Sequence, residues 1–370
     1  YMKINFFEYQ KLYLEHKKDY LKIFNDVCSR GAFILQKDLE NFEKSISKYL
    51  NIKYVIGTND GTNALILGLM ANDISPGDEI ILPSHTYIAT AAAIKLVGAK
   101  PVFADINFKD NLISPESIRK KITSKTKAIM PVHVNGRICD MVSIKKIAKN
   151  YNLKIIEDGA QSIGARLGKY STGHYGDCAT ISFYPAKVLG CFGDGGTILT
   201  NNEKIYSKLF RLRDHGRNKK GDISLWGTNA RLDNLQAAFL NYKLKFLDND
   251  IKKRRRIAYI YNNELSSIKN LNLIPGPNSN GINFDVYQNY EIAVDNRDKF
   301  KKYLLANNIR TLVQWNGKAV HQIKPLKLKA VVPNTELFFK RCIMLPIHTF
   351  LKEKEVMYIC QKIKNFYKIK

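Results

Sequence analysis

Apolar and polar positions along this chain follow two periods in alternation. Short apolar runs of four to six residues recur from Tyr54 to about residue 200: Tyr54-Val-Ile-Gly, Glu79-Ile-Ile-Leu82, Pro101-Val-Phe-Ala-Asp105, Ala128-Ile-Met-Pro-Val-His133 and Lys154 to Glu157. Runs of this length, bounded by turn residues, predict buried strands. Between them, Asn63 to Met70, Ile88 to Val97 and Met141 to Asn150 predict helices. Strands alternating with helices predict βαβ units and a largely parallel sheet covered on both faces. Sites in such sheets lie at the carboxyl ends of the strands. Four loops begin there: Gly57–Thr62, Pro83–Tyr87, Asp158–Gln161 and Tyr184–Lys187.

The flanks read differently. Residues 8–28 carry one helical period, and Asp38 to Leu50 a second, with Leu39, Phe42, Ile46 and Leu50 on one face. Beyond the sheet region, Glu203 to Leu212 predicts a helix, and one long helix is expected from Asp233 to Leu265. A Pro/Gly/Asn segment at 275–281 predicts a loop. Tyr290 to Val294 predicts a strand, and Asp298 to Asn307 and Lys352 to Tyr367 predict helices. The expected organisation is a large α/β domain over 1–250 and a small α+β domain over 251–370.

Composition removes several function classes. No uninterrupted apolar run reaches membrane-spanning length, and the first residues lack the apolar core of a secretory signal. A cytoplasmic protein without membrane partners is expected. Six cysteines are scattered with no C-x-x-C pair, which predicts free thiols and no metal site. The net charge of +26 invites a nucleic-acid reading, but the lysines are dispersed and no binding signature accompanies them. The densest run, Lys252-Lys-Arg-Arg-Arg256, reads as a solvated helix face. Nucleic acid is therefore not the expected partner. A basic surface still attracts a multiply anionic small substrate such as a nucleotide diphosphate.

The candidate chemistry lies in the strand-end loops. Gly61-Thr62 opens a helix directly after a strand, where backbone N–H groups and a hydroxyl make an anion site. Ser182 offers another hydroxyl. Read alone, Gly61-Thr62 is better explained as a simple helix cap with a Gly turn. Gly164-Ala-Arg-Leu-Gly-Lys-Tyr-Ser171 is one residue short of a P-loop, and no G-x-G-x-x-G opens the first βα unit. Nucleotide triphosphatase and dinucleotide readings are disfavoured. Asp158 at a strand end suits a pyridine nitrogen that must stay protonated, and Gln161 could donate to a phenolic oxygen. Lys187 sits between an apolar run and the Gly193-Asp-Gly-Gly196 turn. In a dry pocket a lysine becomes a Schiff-base nucleophile. Tyr87 offers a face for stacking on a planar ring. Each of these is weak alone. Their order along the chain points to pyridoxal phosphate.

With these residues in place, the chain resembles the DegT/DnrJ/EryC1/StrS sugar aminotransferases, which are pyridoxal-phosphate enzymes of fold type I. The resemblance spans nearly the whole sequence. It includes Gly31-Ala-Phe-Ile-Leu, Gly-Thr-Asn-Ala-Leu at 61–65, Pro83-Ser-His-Thr-Tyr-Ile-Ala-Thr90, Pro131-Val-His-Val-Asn-Gly136, Glu157-Asp-Gly-Ala-Gln-Ser162, the Lys187 segment and Trp226-Gly-Thr-Asn-Ala-Arg231. It implies the aspartate-aminotransferase fold. It implies that Lys187 carries the cofactor and shuttles the proton, with pyridoxamine phosphate as the halfway form. Asp158 would pair with the ring nitrogen, Gln161 with the phenolic oxygen and Tyr87 with the ring face. Gly61, Thr62 and Ser182 would hold the phosphate. Asn229 would reach the phosphate in the partner subunit, implying a homodimer with shared sites. The chain departs from the pattern at Gln36, Asn135 and Val188, which puts substrate details in question. Ser-Phe-Tyr-Pro-x-Lys and Gln314-Trp-Asn-Gly-Lys-Ala-Val-His-Gln322 are most similar to members that aminate C-3 of a dTDP-linked 3-keto-6-deoxyhexose, with L-glutamate as donor and 2-oxoglutarate released. Tyr184, Trp315 and His321 are the candidate substrate contacts. Amination at C-4 of a UDP-, GDP- or dTDP-linked 4-keto sugar is the alternative, and the product is expected to feed a bacterial surface glycan.

Overall fold

The computed structural model describes residues 3–277, 279 and 281–368. Seven strands form the central sheet: β1 (Tyr54–Thr58), β2 (Glu79–Pro83), β3 (Lys100–Ala104), β4 (Thr126–Ile129), β5 (Lys154–Asp158), β6 (Cys178–Ser182) and β7 (Gly196–Thr200). Their spatial order is β1-β7-β6-β5-β4-β2-β3. The pairs β2–β3, β2–β4, β4–β5 and β5–β6 are parallel. Only β7 runs against its neighbours, pairing antiparallel with both β6 and β1. The expected α/β class and mostly parallel sheet are therefore found.

Two apolar clusters cover the sheet. One side packs Leu39, Phe42 and Ile46 with Ile144, Ile147 and Leu240. The other packs Leu65, Leu67 and Leu69 with Ile94, Ile205 and Leu209. Helix Gly61–Ala71 lies in this second layer, which fixes its N-terminus at the carboxyl end of β1.

A third cluster belongs to a smaller sheet of β8 (Leu271–Asn272), β9 (Tyr290–Val294) and β10 (Cys342–Leu345), in the order β8-β9-β10. Its core joins Tyr261, Tyr290, Phe300 and Ile359. Ile4 also belongs to it and bridges to Ile309, so the start of the chain packs on the C-terminal unit. Helix Leu247–Leu265 spans both units: Leu247 and Ile251 pack in the large core, and Ile257 onward in the small one. The expected boundary near residue 250 falls inside this helix.

Two helices expected to be continuous are broken. Residues 8–28 form Tyr9–Glu15 and Lys17–Ser29, interrupted at His16. The expected helix Asp233 to Leu265 divides into Asn234–Leu244 and Leu247–Leu265. One contact joins the two breaks: the His16 ring stacks on Phe246 at 4.6 Å, and its Nδ1 meets the Tyr242 hydroxyl at 3.1 Å. Helix Pro115–Lys121, helix Pro333–Arg341 and β10 were not expected from periodicity. In the expected loop 275–281, Asn278 and Asn280 lie outside the described residues.

Candidate active site

The carboxyl ends of β1, β5 and β6 bring the expected residues to one edge of the sheet. Asp60 caps helix Gly61–Ala71: its Oδ1 accepts from the Asn63 N–H at 2.8 Å and its Oδ2 from Asn63 Nδ2 at 2.7 Å. Among the described residues, the N–H groups of Gly61 and Thr62 have no protein acceptor. A helix N-terminus with unmatched donors is suited to an anion. Glycine is required at 61, because a Cβ there would lie 2.9 Å from the Ser182 Cβ. Ser182 ends β6, so the helix start and this hydroxyl share one small cradle. These features fit a phosphate group.

Asp158 ends β5 and is 4 % exposed. Its Oδ2 accepts from Thr90 Oγ1 at 2.7 Å, and its Oδ1 from the Ala160 N–H at 3.1 Å. Thr90 is in turn bonded to Thr86 at 2.6 Å. The carboxyl group is thus buried and held in one orientation by two donors. Gln161 accepts from the Asn135 N–H through Oε1 at 2.6 Å. That assignment leaves Nε2 as the donor, as contact with a phenolic oxygen requires.

Lys187 follows β6 in a tight loop. Its N–H donates to the Tyr184 carbonyl at 2.8 Å, and Gly190 closes the turn where a Cβ would lie 2.6 Å from the Pro185 carbonyl. Burial pushes the Lys187 ammonium down to about 8, opposed by the charge of Asp158. A lysine near that value is about one tenth neutral at pH 7, hundreds of times more than an ordinary lysine, as a nucleophile needs. Lys243 is also brought down to about 8 by burial. Its Nζ is bonded to the Gly190 carbonyl, so it braces the loop, while Lys187 alone has Asp158 as its charge partner. A solvent-open cleft runs beside this loop, lined by Phe7, Tyr9, Lys187, Arg254, His348 and Phe350 among others.

The other expected residues are more scattered. Tyr87 precedes helix Ile88–Leu96 and is 57 % exposed, and Tyr184 is 53 % exposed. Asn229 is exposed on the segment that bridges to Asp214, close in sequence to Trp226, which is 94 % exposed. Trp315 packs its ring 5.5 Å from His85 and 6.2 Å from Phe339. His321 has protein partners on both ring nitrogens: Ser84 Oγ at 2.7 Å and Glu336 Oε1 at 3.4 Å. Burial pushes its pKa down. Thr90 and Gln288 reach the site without having been expected. Thr90 carried one faint signal, its place in the Pro83–Thr90 stretch of the family resemblance. Gln288 carried none.

A lysine kept partly neutral beside a buried carboxylate serves a cofactor that is an aldehyde with a basic ring nitrogen. Together with the sheet order, this places the chain among the pyridoxal-phosphate-dependent aminotransferases of the aspartate-aminotransferase fold. The profile of the DegT/DnrJ/EryC1/StrS aminotransferase family matches residues 15–364, and the chain belongs to that family. It is similar to dTDP-3-amino-3,6-dideoxy-alpha-D-galactopyranose transaminase of Aneurinibacillus thermoaerophilus, 39 % identical over 98 % of this chain and 99 % of that one. It is 34 % identical to a "pleiotropic regulatory protein" of Geobacillus stearothermophilus, over 99 % of each. The crystal structure of S. venezuelae DesV in complex with a ketimine intermediate superposes with a TM-score of 0.94 at 31 % identity, covering 99 % of both chains. The family's enzymes use pyridoxal phosphate, and this chain is a nucleotide-sugar aminotransferase.

Proposed function

We propose that the enzyme moves an amino group from L-glutamate to C-3 of a dTDP-linked 3-keto-6-deoxyhexose, in the cytoplasm, for a bacterial surface glycan. The observation that carries this reading is the 39 % identity, across almost the full length of both chains, to a transaminase named for a dTDP-3-amino sugar. The net charge of +26 supports a dianionic nucleotide substrate by raising its local concentration.

Bound pyridoxal phosphate supplies the electron sink for the carbanion. The residues of this chain do the rest. Gly61, Thr62 and Ser182 hold the phosphate. Asp158 holds the proton on the ring nitrogen, its orientation fixed by Thr90 and Ala160. Gln161 donates Nε2 to the phenolic oxygen, and Tyr87 covers the ring face. Lys187 Nζ would take the donor's Cα proton. In the second half-reaction it delivers a proton to the sugar carbon. The exposed Tyr87, Tyr184 and Asn229 leave one side of the site open in a single chain. A second copy closes it, with Asn229 reaching the partner's phosphate.

The test is turnover of dTDP-3-keto-6-deoxyhexose and its 4-keto isomer with 15N-labelled glutamate. The expected product carries 15N bonded to C-3, seen by two-dimensional NMR, with 2-oxoglutarate released in equal amount. Labelling at C-4, or turnover of the 4-keto isomer alone, would replace this reading by the C-4 one.

A further inference from the structure

We propose that Gln288 is a positioning residue for Lys187, and that the stretch Gln288–Glu291 ties both the lysine loop and Gln161 to the small sheet. The geometry at Gln288 is reciprocal. Its Nε2 donates to the Ala186 carbonyl at 2.8 Å, and its Oε1 accepts from the Val188 N–H at 2.8 Å. One side-chain amide therefore grips the peptide groups on both sides of Lys187. The amide orientation follows from its partners, because a flip would set oxygen against oxygen and N–H against N–H. Gln288 is 6 % exposed, so water does not stand in for either bond.

The next residues reach the other half of the site. Asn289 Nδ2 donates to Asn135 Oδ1 at 3.2 Å, and Asn135 Nδ2 donates to Glu291 Oε2 at 2.9 Å. Asn135 adopts φ +61°, a left-handed conformation that asparagine tolerates, and in it the Asn135 N–H meets Gln161 Oε1. Glu291 is fully buried. His85 offers Nε2 to Glu291 Oε2 at 3.1 Å and Nδ1 to the Asn111 carbonyl at 2.8 Å. The buried His85–Glu291 contact thus links the Pro83–Tyr87 loop to β9. Rings of Trp315, Phe338 and Phe339 surround the imidazole at 4.9–5.5 Å. The residues at 288, 289 and 291 thus hold the lysine loop directly and Gln161 through Asn135. A change in how β9 packs moves both together. Trp315 gains a role here, shielding this pair.

This inference rests on Lys187 being the cofactor lysine, but its first test does not need the cofactor. Gln288→Met keeps the volume and removes both bonds. In cofactor-free protein, hydrogen exchange at the Val188 amide should quicken ~10-fold or more while β5 amides stay protected. The pH midpoint for chemical labelling of Lys187, followed by peptide mapping, should rise as the loop opens to water. In loaded enzyme kcat should fall ~10–100-fold with KM little changed, the mark of a misplaced proton carrier. Gln288→Glu keeps an acceptor for Val188 and loses the donor to Ala186. It should keep the amide protected and lie between the other two in kcat. Should Gln288→Met fold with Val188 exchange and the Lys187 midpoint both unchanged, the clamp is overturned. Should it fail to fold, unchanged kcat in Gln288→Glu overturns it. A wild-type protein that binds no pyridoxal phosphate would instead refute the functional reading and leave the exchange result to judge the clamp.

Discussion

Lys187 is held in a place that costs stability, and the cost is measurable. Burial lowers its ammonium from an ordinary 10.5 to about 8, although Asp158 pulls the other way. That fall corresponds to roughly 3 kcal/mol between the two protonation states. The sign follows from proton counting. Between pH 8 and 10.5 the unfolded chain binds a proton at Lys187 that the folded chain does not, so stability rises with pH across that window. Below pH 8 the penalty is present in full. Lys187→Met removes the charge with little loss of volume. In cofactor-free protein it should raise unfolding free energy by up to about 3 kcal/mol at pH 7, falling below about 1 kcal/mol at pH 10. Any packing change from the methionine is common to both pH values, so the difference between them isolates the ionisation. The assay is urea unfolding of both proteins at several pH values, with slopes compared to check that the unfolded states match. A difference that is zero at pH 7, or constant with pH, would refute the claim that this lysine is desolvated by the fold.

Further outcomes follow from the same geometry. Asp158→Asn removes the charge opposite the ring nitrogen; the loss of a charge-assisted hydrogen bond, about 1.5–3 kcal/mol, should lower kcat roughly 10–200-fold while the cofactor stays bound by absorbance. Gly61→Ala places a Cβ 2.9 Å from Ser182 and should weaken pyridoxal phosphate binding about tenfold or more, read by titration, with smaller change in kcat at saturating cofactor. Mixing Lys187→Ala with Asn229→Ala subunits should restore about one quarter of wild-type activity, because half of the dimers would hold one intact site. No restoration, with subunit exchange shown by mass, would mean that the sites are not shared.

The candidate site was legible because its proposed residues sit at strand ends, where short-range pattern and chemistry coincide. Asp158 closes the apolar run of β5, Ser182 closes β6, and Gly61 follows β1. Each is found by locating a strand and asking what comes next. Thr90, Gln288 and Glu291 act through partners 68, 102 and 206 positions away in sequence, and no local period marks them. The broken helices have the same cause. His16 and Phe246 each lie in a sound helical pattern, and the breaks at both meet in one tertiary contact 230 positions apart that no local period marks. The small unit hid Ile4 for a related reason: a single apolar residue near the start of the chain does not reveal which core it will join.

The reaction class and the sugar carbon rest on different kinds of residue. Amination needs a desolvated amine, an ionised carboxylate and an anion cradle within reach of one planar cofactor. Each of those has a short list of side chains able to supply it, and each is set by the sheet edge. Which carbon is aminated depends on how a much larger sugar nucleotide lies relative to Lys187 Nζ, which is a question of shape. The residues nearest to that question are already committed to protein partners. His321 is bonded to Ser84 and Glu336, and Trp315 packs against His85 and Phe339. Their influence on the site is therefore expected to pass through Ser84 and His85, on the loop that carries Tyr87. Tyr184, exposed and three residues before Lys187, is the residue we propose touches the sugar directly. A change at Tyr184 should therefore alter discrimination between 3-keto and 4-keto sugars while glutamate-driven loading of the cofactor persists. Changes at His321 or Trp315 should lower both half-reactions together, because Ser84 and His85 lie on the loop that carries Tyr87.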